Sequence, residues 1–285
     1  MAYTKEQLSL VTTATLPSEV SEVLRAAAIE RGKRVSKLRQ YGFIDTSSDE
    51  GAQVYNYIVL NELSSAKEVG EGAEPDYEDA DATKGSEYFM KIMKAFKISW
   101  EADALKTINL RAGQVRAAVD QVFTYEDSKI ITRLEADRTS TAAGTDWSGA
   151  SADPVQDLRT AIRTVDDLGY QMDMMILNPT NYEELVSIIA SNSWYSATEA
   201  IIKKGAMQTF PFMGLKIETN TNATLGTATL FKTGSSGTFI TAEAKKLCLN
   251  IFDDKDAQTT KVQVFERVVP AVVVRADSAY CITGL

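Results

Sequence analysis

The chain has no histidine. That absence removes Ser-His-Asp and Cys-His catalysis, histidine-bearing metal sites and the commonest general base near neutral pH. An enzyme built on this sequence would have to work with carboxylates, lysine or tyrosine. Cysteine is nearly absent as well: Cys248 and Cys281 are the only two. Two thiols make no disulfide framework, and no zinc site without help from histidine or carboxylates. Each lies in a segment that reads as a strand, where a free thiol acts as a small buried hydrophobe. Long apolar runs are missing too. The longest, near Val268 to Val274, is too short to cross a bilayer, and residues 1–20 lack the basic start and apolar stretch of a targeting signal. A soluble, intracellular product with no membrane partner is expected. Finally, the net charge is −9, which argues against general affinity for nucleic acid while leaving room for a local basic patch.

Ligand fingerprints are equally scarce. Gly70-Glu71-Gly72 is followed by Pro75 where a dinucleotide site needs its third glycine, and no helix follows. Gly234-Ser235-Ser236-Gly237 lacks the lysine of a phosphate loop and reads as a hairpin turn. The acids between Glu68 and Asp81 do not follow the calcium-loop pattern around a fixed glycine. Asp166-Asp167, Glu183-Glu184 and Asp253-Asp254 are neighbours in sequence, so on a helix each pair points about 100° apart, most simply into solvent. No catalytic, cofactor-binding or metal-ligating residue is assigned.

What the sequence does have is one long helical pattern. From Asp103 to Arg138, apolar residues recur at Leu105, Ile108, Ala112, Val115, Val119, Val122, Ile130 and Leu134. These positions share one helical face, apart from an eight-residue gap that Tyr125 partly fills. Gly113 interrupts the stretch at a cost of about 1 kcal/mol relative to alanine. No proline does. Such a rod is on the order of 50 Å long at 1.5 Å per residue.

The elements around it are unusual for a small enzyme. Residues 1–49 read as an arm, with a helix opened by Pro17, Ser18 and Glu19 and a basic run at Arg31, Lys33, Arg34, Lys37 and Arg39. That run is either a solvated face or a contact with an acidic partner or packaged nucleic acid. Residues 53–60 read as a strand, and the return strand spans 87–100, with Tyr88, Met90, Ile92, Phe96, Ile98 and Trp100 in one parity. Between them lies a polar tip bearing Glu68, Glu71, Glu74, Asp76, Glu78, Asp79 and Asp81. An isolated hairpin is marginal in water, so this one is expected to rest on something outside its own chain. Residues 139–154 read as a loop. Beyond it, 153–254 reads as an α/β unit, with Asp153 capping a helix that ends at Gly169, and with the strand before Asn178-Pro179-Thr180 leading into another. Short strands follow, at 237–242 and 245–252 among others. The last segment is one long strand and a shorter one, with Pro270 between them at a bend or edge.

This order of elements resembles the major capsid proteins of tailed phages with the Hong Kong 97-type fold. The resemblance rests on the arm, on the hairpin whose tip contains Glu68-Val69-Gly70-Glu71-Gly72-Ala73-Glu74-Pro75, and on the return strand ending Phe96-Lys97-Ile98-Ser99 before a long helix. Met174 to Thr180 followed by a helix is similar to that family's axial domain. The implied fold is α+β, with a spine helix, an extended hairpin (E-loop), a peripheral domain and an α/β axial domain. The expected divisions are 1–49 for the arm, 50–98 for the hairpin, 99–152 with 255–274 for the peripheral domain, and 153–254 with 275–285 for the axial domain. The resemblance implies a non-enzymatic capsid subunit that assembles with copies of itself, as hexamers and pentamers, into an icosahedral shell around double-stranded DNA. The product would be a virion component assembled in the host cytoplasm, with portal, scaffold or decoration proteins as further partners and no cofactor. An encapsulin-like compartment around cargo protein is the alternative, and a carboxylate-dependent enzyme the more distant one. Lys67 and Lys84 lie in the hairpin, but no motif fixes a cross-linking partner for them.

Overall fold

The computed structural model describes residues 38–60, 82–101, 110–149, 151–191, 211–235 and 237–285. The expected arm helix, the acidic tip, the stretch from Trp194 to Met207 and the first residues of the long helix lie outside the described residues. A 3-10 turn, Leu38–Tyr41, leads into β1 (Phe43–Asp45), β2 (Val54–Leu60), β3 (Ala82–Tyr88), β4 (Met90–Ser99) and α1 (Leu110–Ala136). Next come β5 (Ser140–Ala143), α2 (Pro154–Asp166), β6 (Met174–Leu177), α3 (Pro179–Ser191), β7 (Pro211–Phe212) and β8 (Leu215–Thr219). The chain closes with β9 (Thr227–Phe231), β10 (Phe239–Asp254), β11 (Thr259–Val273) and β12 (Tyr280–Thr283).

α1 keeps the expected periodicity and explains its gap. Val115, Val119, Val122, Ile130 and Leu134 are all buried. Tyr125 does not fill the space between Val122 and Ile130; it is half exposed. Glu126 fills it, four residues from each neighbour on the stripe and fully buried. A carboxylate therefore stands where the apolar pattern lapses, because a cation awaits it. Gly113 faces open space, with nothing within 4 Å of a Cβ built there.

The expected return strand is two strands. Phe89 breaks it: its N–H bonds the Gln53 carbonyl at 3.0 Å and its ring is buried against Tyr55. Before the break, β3 pairs antiparallel with β2, from Val54↔Tyr88 to Leu60↔Ala82. After it, β4 turns to β11 and joins a four-stranded sheet in the order β1-β10-β11-β4. The one-parity reading holds along β4, where Met90, Ile92, Phe96 and Ile98 turn inward, and departs at its two ends, where Tyr88 and Trp100 are exposed.

Two further expectations change. The strands expected at 237–242 and 245–252 are one strand, β10, paired along its length with β11 and carrying register shifts between Ile240 and Ala242, Glu243 and Lys245, and Lys245 and Cys248. Bulges let one strand bend without ending. Gly234 to Gly237 is then no hairpin turn: it carries the chain from β9 in one sheet to β10 in the other. Residues 140–143, expected in a loop, form β5 and pair parallel with β12. Pro270 lies inside β11, past the last β4 pair at Val268↔Met90 and between the Val269 and Val272 pairs with β10. Its missing N–H falls at a bulge beyond the reach of β4, where it costs no ladder bond.

The second sheet has the order β5-β12-β9-β6-β8-β7. One face packs on α2 and α3 through Met175, Leu177, Leu230 and Ile282 against Leu158, Leu185 and Ile189. Its other face sets Met174, Ile176 and Phe231 against Ile130, Ile131 and Leu134 of α1. Asp153 caps α2 by accepting the Gln156 N–H at 3.0 Å, and Gly169, at φ +84°, turns the chain away after it; this backbone favours glycine. Val155, Leu158, Ile162, Val165 and Leu168 share the apolar spacing of one face, but Leu168 lies past the helix end and is exposed. Both cysteines are buried in strands, and burial pushes both thiols up, Cys281 to about 11. Among the described residues, no helix is long and apolar enough to cross a membrane.

Candidate assembly interface

Strand alternation divides the four-stranded sheet into two unlike faces. Toward α1 point Ile92, Val262, Val264, Leu247 and Leu249, packed on Val115, Val119, Val122 and Phe123. On the opposite face β4 presents Lys91, Met93, Ala95 and Lys97, β11 presents Lys261, Gln263, Phe265 and Arg267, and β10 presents Cys248, Asn250 and Phe252. That face carries Lys91, Lys97, Lys261 and Arg267 against one carboxylate, Asp254 at the end of β10, and so is cationic in a chain of net charge −9. Lys91 lies 4.3 Å from the Phe265 ring centre, a cation over an aromatic face. Met93 and Phe252 are about half exposed. Lys261 bonds Asp254 at 2.6 Å across the β10–β11 turn, and Lys245 bonds Glu50 at 3.1 Å.

The β2–β3 ribbon covers only one end of this face. Tyr55, Tyr57 and Phe89 pack on Ala242, Ala244, Val269 and Val272. Asp45 ties the ribbon's base to β1, accepting the Ser47 N–H and the Tyr55 hydroxyl, each at 2.8 Å. Glu87 pairs with Arg133 of α1. The expectation that the hairpin rests outside its own chain is therefore corrected at its base, where these contacts are internal. It stands open further out, where Ile58 is 61% exposed, and on the outer side of the base, where Tyr88 opposite Val54 is 76% exposed.

The basic run also divides. Arg31 to Lys37 lies outside the described residues, but Arg39 is neither a solvated charge nor a surface contact. Its side chain is 4% exposed, and its guanidinium meets Glu126 of α1 at 3.1 Å, Glu243 of β10 at 3.0 Å and Glu266 of β11 at 3.3 Å. Burial alone would lower the Arg39 pKa; the three carboxylates outweigh it and hold the pKa above its ordinary value. No pattern in the run singles out Arg39. The signal lay elsewhere, in the lapse of the apolar stripe at Glu126 and in Glu243 and Glu266 interrupting apolar strands.

Neither arrangement suggests chemistry on a substrate. A groove of about 480 Å³ between β4 and α1 is lined by Lys91, Lys94, Gln121 and Tyr125 among others, and holds no carboxylate to pair with them as acid and base. Among the described residues no cluster of three or more Cys, Asp or Glu could hold a metal ion.

No protein-family model matches the sequence, and no curated protein matches it. Solved structures do match the fold. The virus-like particle from Pyrococcus furiosus aligns with a TM-score of 0.65 at 13% identity, over 92% of this chain and 98% of the other. The capsid of the cyanophage P-SCSP1u aligns at 0.64 and 13% identity, over 88% and 90%. The capsid of the native GTA particle aligns at 0.67 and 11%, over 87% and 89%. At such identities only architecture is compared, and it agrees along nearly the whole length: the chain has the mixed α+β fold of phage capsid proteins.

Proposed function

We propose that the protein is the major subunit of a closed shell, a tailed-virus capsid that encloses double-stranded DNA. The observation that carries the reading is the end-to-end match to subunits of capsids and of a virus-like particle. In this reading α1 is the spine helix, and the β2–β3 ribbon with residues 61–81 is the E-loop. The four-stranded sheet is the peripheral domain and takes in β10; the six-stranded sheet is the axial domain and takes in β5. The arm expected over 1–49 is shortened in this reading to the residues before Leu38, because Leu38 is buried in the core and β1 pairs with β10. Subunits meet as hexamers and pentamers, and portal, scaffold or decoration proteins join in the host cytoplasm. Surface chemistry supports the contact between copies. Residues 61–81 hold eight carboxylates against one lysine, and the cationic sheet face offers a neighbour's segment the complementary charge.

Electron microscopy of purified full-length protein tests this: closed particles are expected. Deleting Ser64 to Thr83 leaves the circular dichroism spectrum of the core intact and abolishes particles. Normal particles from the deletion would overturn the role given to the hairpin, and a stable monomer from the intact chain would overturn the shell. The near-complete overlap with the Pyrococcus furiosus virus-like particle favours a second reading, a compartment around cargo protein. Particle density for a cargo peptide on the inner wall, without nucleic acid, would select it.

A further inference from the structure

We infer that the turn Leu38–Tyr41 is a coupling element, through which a change at the contacts of one sheet is felt at the other. Three of its residues reach into different parts of the molecule. Leu38 is fully buried with Ile130 and Leu134 of α1 and with Met174, Phe231 and Phe239 of β6, β9 and β10. Arg39 turns into the four-stranded sheet and holds Glu126, Glu243 and Glu266, one carboxylate from each of α1, β10 and β11. Tyr41 turns the other way. Its hydroxyl donates to Glu218 of β8 at 3.3 Å and accepts from Lys216 at 3.3 Å, and its carbonyl accepts the Gly234 N–H at 2.9 Å, where the chain crosses between sheets. Gly42 fixes the exit: a Cβ there would stand 2.3 Å from the Phe239 ring, so only glycine lets the turn lie this close to β10.

The turn thus holds both sheets and α1 at once. Displacing it would withdraw from three buried carboxylates the cation they share, and from β8 and Gly234 the groups they bond. Such a joint resists partial movement. A change at the turn's contacts with one sheet and a change at its contacts with the other become one event. The inference stands apart from the shell reading, since it concerns a single chain.

Hydrogen exchange on the unassembled full-length protein tests it. Arg39→Lys keeps a cation and loses the guanidinium fork. Exchange at Gly234 and along β8 is expected to rise at least tenfold, although Arg39 touches neither. Tyr41→Phe removes one hydroxyl and is the variant surest to fold. It is expected to speed exchange around Glu243 and Glu266 in return, because coupling is reciprocal. Acceleration confined to each residue's own contacts would overturn the inference. So would a uniform rise that includes α2 and β5, which would mean general loosening.

Discussion

The two sheets differ in how much of themselves they cover. The six-stranded sheet has a helical layer on one face and α1 on the other, and every residue of β6 and β9 is buried. Among the described residues, the four-stranded sheet has α1 on one face; its other face is covered at one end by the ribbon and elsewhere shows lysines, Met93 and Phe252. Strands buried on both sides read as continuous apolar runs, as Met174 to Leu177 does. Strands covered on one side alternate, as Lys91 to Lys97 does. Among the described residues the closed sheet completes its own core, whereas the open one leaves part of a face uncovered. The chain thus has a self-covered half and a dependent half, the contrast on which the proposed contact between copies rests.

Substituting one aromatic in each half gives the sharpest test of that contrast. Phe231→Ala empties a fully buried position where β9 meets α1, and should cost about 3–5 kcal/mol, read as a large fall in the urea midpoint. Phe252→Ala removes a half-exposed ring from the open face and should change the stability of the unassembled chain by less than about 0.5 kcal/mol. Equal costs would mean that the open face is as complete within the chain as the closed one.

A smaller effect of opposite sign is expected on the helix that serves both sheets. Gly113 sits in α1 with open space where a side chain would go. Gly113→Ala should raise stability by about 0.5–1 kcal/mol, because alanine loses less backbone freedom on folding. An unchanged or lowered melting temperature would show that a neighbouring chain segment or a backbone constraint needs the glycine.

How much of this was legible in the sequence follows the same division. α1, α2, α3 and the strands β6, β8, β9 and β12 of the closed sheet were readable because each buries a face at its own period, with local signals such as Asp153, Gly169 and Pro179 at helix ends; β5, in a stretch of loop composition, was not. The open half was harder. The split of β3 from β4 depends on Phe89 choosing a burial site on another sheet, and the unity of β10 depends on bulges that pairing with β11 imposes. Neither choice is local. Arg39 was read with the basic residues before it, since nothing nearby distinguishes a lysine-rich surface from one arginine that turns inward. Its partners lie on α1, β10 and β11, far apart along the chain, and only the fold brings them together.

The smallest effect concerns the clasp at the ribbon's base, where the dependent half is anchored. Although burial raises the Asp45 pKa, the hydrogen bonds from Ser47 and Tyr55 more than offset it and hold the carboxyl below its ordinary value. A depressed carboxylate contributes stability above its unfolded pKa of about 3.9, and that stability is lost as pH falls through the folded value. Tyr55 is pushed up, by burial first and then by its bond to Asp45. A raised phenol contributes below its unfolded pKa of about 10 and loses that contribution as pH rises toward the folded value. The clasp should therefore be fully present between about pH 5 and 9. Because the pair is partly solvated, it should contribute no more than about 1 kcal/mol. Urea titrations of the unassembled protein and of Asp45→Asn should differ by a constant amount across that window and converge toward pH 2. A difference that persisted undiminished in acid would mean that Asp45 acts through its shape and not its charge, and that the ribbon is held to the sheet by the Tyr55, Tyr57 and Phe89 rings alone.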